Sequence, residues 1–317
     1  MADHDDRPFE TDIGGFGRTF PHRYSADGHR MFGTQLLVSP AGDRLVSDFG
    51  KTIIENEGLG SDDIPDYLSL SFSGVDAINH FFGPSSLENE DVVLHLDQIL
   101  ADFFAYVDET VGLDRTLIVL SADHGMPEAP EFMNDLGAQV QRINSLKLQE
   151  MIGTFVREEF GLKGAVRAFY RPYLYLNHKK IAEAGLDQEV VERAIAEKLM
   201  THPGIALAVS HEMLNDNVNH GSVEAIRRNT HVHRSGDIYV LQKPYWYMQE
   251  GRAIAVMHGT PWTFDTHVPI IVVAPDGNAE HVHRLVHPVS VAPTIATYLG
   301  LKPPPAAMAA PLVEALP

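Results

Sequence analysis

Apolar positions along this chain follow two periods, and the alternation between them predicts the architecture. From Asp43 to Glu57 the spacing is helical: Leu45, Val46, Phe49, Ile53 and Ile54 share a face, and Gly58-Leu59-Gly60 stops the run. Tyr67-Leu68-Ser69-Leu70-Ser71-Phe72 alternates with period two, the pattern of a strand. Ser86 to Val111 is again helical, with a stripe of Val93, Leu96, Ile99, Leu100, Phe103 and Val107, and Gly112 ends it. Thr116 to Ser121 is an unbroken apolar, β-branched run, the composition of a strand buried on both faces. Residues 1–137 therefore read as the first part of an α/β core.

The pattern changes over residues 138–235. Phe155 to Phe160 reads as helix, Tyr173 to Leu176 as strand, and Gln188 to Met200 as an amphipathic helix. Pro203-Gly204 reads as a turn and Ile205 to Val209 as a further strand. This is an α+β insert placed to cap the core. Residues 236–317 return to core composition at Asp237–Leu241 and Val268–Val273, and Ser290 to Leu299 forms a last helix stopped by Gly300. The first thirty-five residues show no clean period and read as loop, and the Pro- and Ala-rich stretch from Pro303 reads as frayed.

Composition narrows the function. With 317 residues and 44 % hydrophobic side chains the chain can bury a large core. A formal charge of -19 argues against nucleic-acid binding, because phosphate backbones attract basic surfaces. A small phosphorylated substrate stays open, since a bound dication inverts the local field. The absence of cysteine excludes disulfides and thiolate zinc sites. No apolar run is long enough to span a membrane. The opening Met-Ala-Asp-His-Asp-Asp lacks the basic and apolar regions of a secretory signal and reads as cytoplasmic.

Candidate chemistry sits at strand ends. Asp76 and His80, four apart, follow the Tyr67–Phe72 run and share a face of one helical turn. Asp123 and His124 follow the Thr116–Ser121 run, with Gly125 as a turn residue. In open α/β sheets, ligands bind at the carboxyl ends of strands. Polar pairs there need partners, and a divalent metal satisfies both. His258 and His267 are alternatives for a third ligand, with Asp265 between them, and Glu131 lies close enough in sequence to support the site. His231 and His233 alternate as on a strand; any one of seventeen histidines is by default a surface group.

The run Ser71-Phe72-Ser73-Gly74-Val75-Asp76-Ala77-Ile78-Asn79-His80-Phe81-Phe82-Gly83-Pro84, with Glu88, Asp91 and Asp97 downstream, resembles the alkaline phosphatase superfamily, nearest its type I phosphodiesterase and nucleotide pyrophosphatase branch. Leu120 to Gly125 and His258 to Pro269 fit the same branch in order and spacing. The resemblance covers roughly residues 40 to 300. It implies a three-layer αβα sandwich of alkaline phosphatase type and two zinc ions, Zn2+. One ion would be held by Asp76, His80 and His258, the other by Asp123 and His124. It implies hydrolysis of a phosphate ester, monoester or diester, by a two-metal mechanism through a covalent phospho-enzyme.

The chain departs from the family pattern before Asp76. It has no apolar strand ending in Asp-Gly there, and no Thr- or Ser-rich segment to carry the nucleophile. The expectation is a core incomplete at its amino-terminal side, with an unpaired apolar sheet edge, one retained zinc rather than two, and weak turnover. An inactive metal-binding fragment is one alternative; a sulfatase or phosphoglycerate mutase relative is another, which the Gly-Pro-x-Ser-x-Glu context after His80 disfavours. Relatives in the family are commonly periplasmic or secreted, so the compartment stays open, as do the substrate and the oligomeric state.

Overall fold

Four helices build the first part of the molecule. The computed structural model describes residues 4–26, 28–215, 221–249, 254–275, 277 and 279–316. Helix α1 (Phe32–Leu37) leads into α2 (Pro40–Glu57), where a proline opens the first turn and Gly58 closes the last in the left-handed region, φ 67°. Helices α3 (Gly74–Phe82) and α4 (Leu87–Thr110) follow. The Ser86 side chain caps α4 by accepting from the Asn89 N–H at 3.1 Å.

Of the apolar stripe read on α2, Leu45 and Phe49 face outward, 56 % and 64 % exposed, while Ile54 is buried. The inward face is Asp43, Ser47, Gly50 and Ile54. The cause is a close approach of neighbours: a Cβ at Gly50 would meet Leu70 Cδ1 at 2.8 Å and Phe103 Cε2 at 3.1 Å. On α4, Ile99, Phe103 and Val107 are buried as the pattern implied, while Val93 is 46 % exposed. Tyr67–Phe72, expected as a strand, joins no ladder among the described residues, and Tyr67 is exposed. Alternation sets the faces of a strand, but a neighbouring backbone must still take its N–H and C=O groups.

Strand β1 (Ile118–Ser121) and helix α5 (Pro130–Asp135) precede the α+β unit. That unit holds β2 (Arg142–Asn144), α6 (Ser145–Phe160), β3 (Val166–Tyr170), β4 (Tyr173–Leu176), α7 (His178–Glu183), α8 (Gln188–Met200), β5 (Ile205–Ser210), α9 (Gly221–Asn229), β6 (Ile238–Gln242) and β7 (Tyr247–Gln249). Its antiparallel sheet has the order β3-β4-β6-β5. Asp237–Leu241, expected to rejoin the core, thus supplies an inner strand of this sheet. The reason is side-chain content: all five β6 residues are buried, and Ile238 and Val240 pack with Ile152 and Val156 of α6 and Ile195 and Leu199 of α8. The parallel pair β2–β7 ties the start of the unit to its end. His231 and His233 lie in a turn, exposed, and not on a strand.

Helix α10 (Thr263–Thr266), strand β8 (Ile270–Val273) and helix α11 (Val291–Tyr298) follow. β8 pairs antiparallel with β1, from Ile118↔Val273 to Ser121↔Ile270. The run expected to be buried on both faces is only half-buried in β1, and Ile271 and Val273 of its partner are 52 % and 51 % exposed. Among the described residues this ladder has two strands and no flanking ones, which leaves its residues only partly covered.

Candidate metal centre

Three segments from different parts of the chain converge. Asp76 and His80 stand one turn apart on α3. Asp123 and His124 follow the last residue of β1. His258 comes from the segment between β7 and α10. The Asp76 carboxylate is the meeting point: its Oδ1 lies 3.4 Å from His80 Nε2, 3.5 Å from His258 Nε2 and 3.8 Å from His124 Nε2. Asp123 Oδ2 lies 3.5 Å from His124 Nε2. The His124 and His258 rings stack with centroids 3.4 Å apart.

The local folding that holds these groups is specific. The Ala255 N–H donates to the His80 carbonyl at 2.8 Å, and the His80 Nδ1 donates to the Val256 carbonyl at 3.0 Å. A carbonyl can only accept, so Nδ1 carries a proton and Nε2 is the nitrogen that faces Asp76. The His124 Nδ1 meets its own neighbour's carbonyl, that of Gly125, at 3.0 Å, with the same consequence. Gly125 itself is required by crowding: its N–H donates to the Asp265 carbonyl at 2.8 Å, and a Cβ would sit 2.2 Å from the Phe264 carbonyl oxygen.

Electrostatics suit a cation. Burial, together with the neighbouring His124 and His80 charges, pushes the His258 pKa down to about 4, so its imidazole is neutral at pH 7. Burial opposes ionisation of Asp76, but His80 beside it wins and holds the carboxyl below the usual range. Burial likewise opposes protonation of His80, and the Asp76 carboxylate outweighs it. Among the described residues Asp76 Oδ1 is buried without a hydrogen-bond partner, while three imidazole Nε2 atoms surround it. Such an oxygen is costly unless something else binds it. Asp76, His80 and His258 offer ligand atoms that all lie within 4.8 Å of one another, and an N,N,O donor set is one that zinc takes.

The other sequence candidates are placed differently. His267 is exposed at the end of α10, outside this group. Asp265 is buried, and its Oδ2 accepts from the Thr260 N–H at 2.7 Å and hydroxyl at 2.6 Å. Burial raises its pKa against those hydrogen bonds. Glu131, on the first turn of α5, forms a two-point pair with Arg142 at 2.7 and 2.9 Å. Arg142, which the sequence reading passed over, also donates to the carbonyls of Ile254 and Ala255, at 3.0 and 2.9 Å. Glu131 thereby steadies the segment that carries His258. Nothing in the spacing of Arg142 signals this; only the fold brings it to residues 254–255.

A model of the type I phosphodiesterase / nucleotide pyrophosphatase family matches residues 6–267. The chain belongs to this family. Among curated members and relatives, it is 30 % identical over 288 residues to a Myroides odoratus protein named calcium-transporting ATPase, covering 90 % of this chain and 53 % of that protein. It is 26 % identical over 306 residues to the alkaline phosphatase PafA of Elizabethkingia meningoseptica, covering 94 % of this chain and 54 % of that one. The chain spans about half the length of the curated relatives it matches. The crystal structure of PafA superposes with a TM-score of 0.91 at 24 % identity, over 100 % of this chain and 60 % of that one. The fold is therefore α/β and of alkaline phosphatase type.

Proposed function

We propose that this chain forms the metal-holding part of a zinc-dependent phosphate ester hydrolase. The observation that carries the proposal is the convergence of His80, His124 and His258 on the buried, unpartnered Oδ1 of Asp76. Family membership and likeness to proteins named alkaline phosphatases support the reaction class. Zinc, when bound, supplies Lewis acidity toward a phosphoryl group.

The chain's own residues do the rest. Asp76, His80 and His258 hold one ion, and the Val256 carbonyl fixes which His80 nitrogen is free to bind. Asp123 and His124 contribute to a second ion, and His124 also approaches Asp76, which links the two. The Asp123 side chain is 88 % exposed, so the site opens to solvent and to substrate on that side. Two side chains fall short of the three that catalytic zinc commonly takes from protein. The chain alone is accordingly expected to retain one zinc tightly and the second weakly. Thr260 commits its hydroxyl to Asp265 and is not offered as the nucleophile. Turnover by this chain alone is expected to be weak or absent. The substrate is a small phosphorylated molecule, and no described helix is long and apolar enough to cross a membrane.

Elemental analysis after dialysis, with anomalous scattering at the zinc edge, tests the metal assignment. One zinc per chain beside Asp76, lost in Asp76→Asn, is expected. Retention of zinc by Asp76→Asn at wild-type affinity would refute it. Zinc-dependent binding of inorganic phosphate by the loaded protein, lost in Asp76→Asn, then tests whether the metal faces a phosphoryl group; no such binding would refute that part.

A further inference from the structure

One buried aspartate touches both segments that bring histidines to Asp76 from outside α3. Asp265, on α10, is 3 % exposed. Its Oδ2 accepts the Thr260 N–H at 2.7 Å and the Thr260 hydroxyl at 2.6 Å, and the Gly259 N–H is a third donor to the same carboxyl. Gly259 has φ 107°, a backbone conformation that favours glycine and lets successive N–H groups face one acceptor. His258 directly precedes these two residues, so the carboxylate that gathers them sets where the imidazole starts.

The main chain of Asp265 makes the second connection. Its carbonyl accepts the Gly125 N–H at 2.8 Å, one residue beyond His124. Asp265 is itself anchored. Its N–H donates to the Trp262 carbonyl at 3.0 Å, and the Trp262 indole donates to the Gln242 carbonyl, at the end of β6, at 3.0 Å. Arg142 holds the other flank of His258, at the carbonyls of Ile254 and Ala255. His258 is therefore gripped on both sides, and only the Asp265 side is also tied to the turn bearing His124.

We infer that Asp265 is a positioning residue: through its carboxylate and its carbonyl it holds His258 and His124 at the separation at which both face ions beside Asp76. The inference rests on the proposed zinc-centred reading and adds the residue that ties its two ion positions together. The role is one of geometry. It needs an accepting oxygen at Oδ2 and does not need the negative charge.

Metal binding tests this without turnover. Chelator competition reads zinc affinity, and the visible spectrum of the cobalt(II)-loaded chain reads the arrangement of the ligands. Asp265→Leu, of similar size with no acceptor, should bind zinc at least about tenfold more weakly and show an altered cobalt spectrum. Asp265→Asn keeps the oxygen that Thr260 needs and puts its amide where Oδ1, without a partner among the described residues, now sits. It should hold zinc within about threefold of wild type, with the wild-type cobalt spectrum, because the orienting hydrogen bonds remain. A residue that only supports the fold would shift the urea midpoint of Asp265→Leu and leave both metal readouts of the folded protein unchanged; that result overturns the inference. Equal losses in Asp265→Leu and Asp265→Asn overturn it as well, since charge would then be the deciding property. If circular dichroism shows Asp265→Leu unfolded, Thr260→Val, which removes the hydroxyl donor alone, decides: weaker zinc binding with an altered cobalt spectrum supports the role, and unchanged readouts overturn it. Zinc held equally by wild type and every variant leaves the zinc centre standing and removes only Asp265. No zinc or cobalt held by the wild type removes the zinc-centred reading and this one with it.

Discussion

Replacing Glu10 by glutamine should make the protein more stable at pH 8 and leave it nearly unchanged at pH 4.5. Glu10 is 5 % exposed in the amino-terminal loop. One of its oxygens, Oε2, accepts the Arg7 N–H at 2.8 Å, while Oε1 is buried without a partner among the described residues. Burial raises the pKa from 4.5 to about 7 against that hydrogen bond, and the Glu88, Asp5 and Asp6 charges add to the rise. The folded state thus binds this proton more tightly than the unfolded chain does, so stability falls as pH climbs from 4.5 to about 7 and is flat above. At 1.36 kcal/mol per pKa unit the loss amounts to at most about 3 kcal/mol. Glutamine is isosteric, keeps an acceptor for the Arg7 N–H, and does not ionise. The Glu10→Gln curve of urea midpoint against pH should therefore meet the wild-type curve near pH 4.5 and lie above it by up to about 3 kcal/mol at pH 8. The gain bears on the metal centre's frame, because the Thr11 N–H donates to the Phe81 carbonyl at the end of α3, and Phe9 packs with Val256. Parallel curves from pH 4.5 to 8, or a variant weaker than wild type at pH 8, would refute the reasoning.

Other substitutions probe the centre itself. Gly125→Ala puts a methyl group against the Phe264 carbonyl, 2.2 Å away, and should cost about 1–3 kcal/mol in chemical denaturation; a change under about 0.5 kcal/mol would sink the crowding argument. His258→Ala should weaken zinc binding at least a hundredfold by chelator competition, whereas His267→Ala should leave it within about twofold; the reverse order would move the third ligand to His267. Arg142→Met removes the donors to the Ile254 and Ala255 carbonyls and leaves Glu131 without this partner. Zinc affinity should drop about tenfold, the lower end for groups that orient metal ligands, and unchanged affinity would show that the segment bearing His258 is held without Arg142.

The sequence revealed what periodicity and spacing encode, and nothing that depends on which neighbour arrives. The five converging side chains were readable because each lies in a short run with its own local geometry. The i,i+4 pair on α3 puts Asp76 and His80 together whatever else the chain does. The end of an apolar strand places Asp123 and His124 at its mouth; Gly125 was legible as a turn residue, and only the fold shows its close approach to Phe264. Helix α8 was legible to the residue because its stripe faces a core built within the same unit. Helix α2 was legible as a helix and not by its face: Leu45 and Phe49 carry the hydrophobicity, yet Gly50 and Ser47 decide the packing because they let α3 and α4 come close. The same limit applies to β strands. Tyr67–Phe72 and Thr116–Ser121 have strand composition, but a strand exists only where another backbone takes its hydrogen bonds, and its burial only where something covers its faces. β6 found both inside the α+β sheet and is wholly buried; β1 found a single partner and is not. Arg142 escaped for the same reason. It gains its role from carbonyls a hundred positions away, and no local pattern registers that. Chemistry carried by local motifs can be read before the fold is known, whereas the groups that hold those motifs in place are assigned only by the tertiary structure.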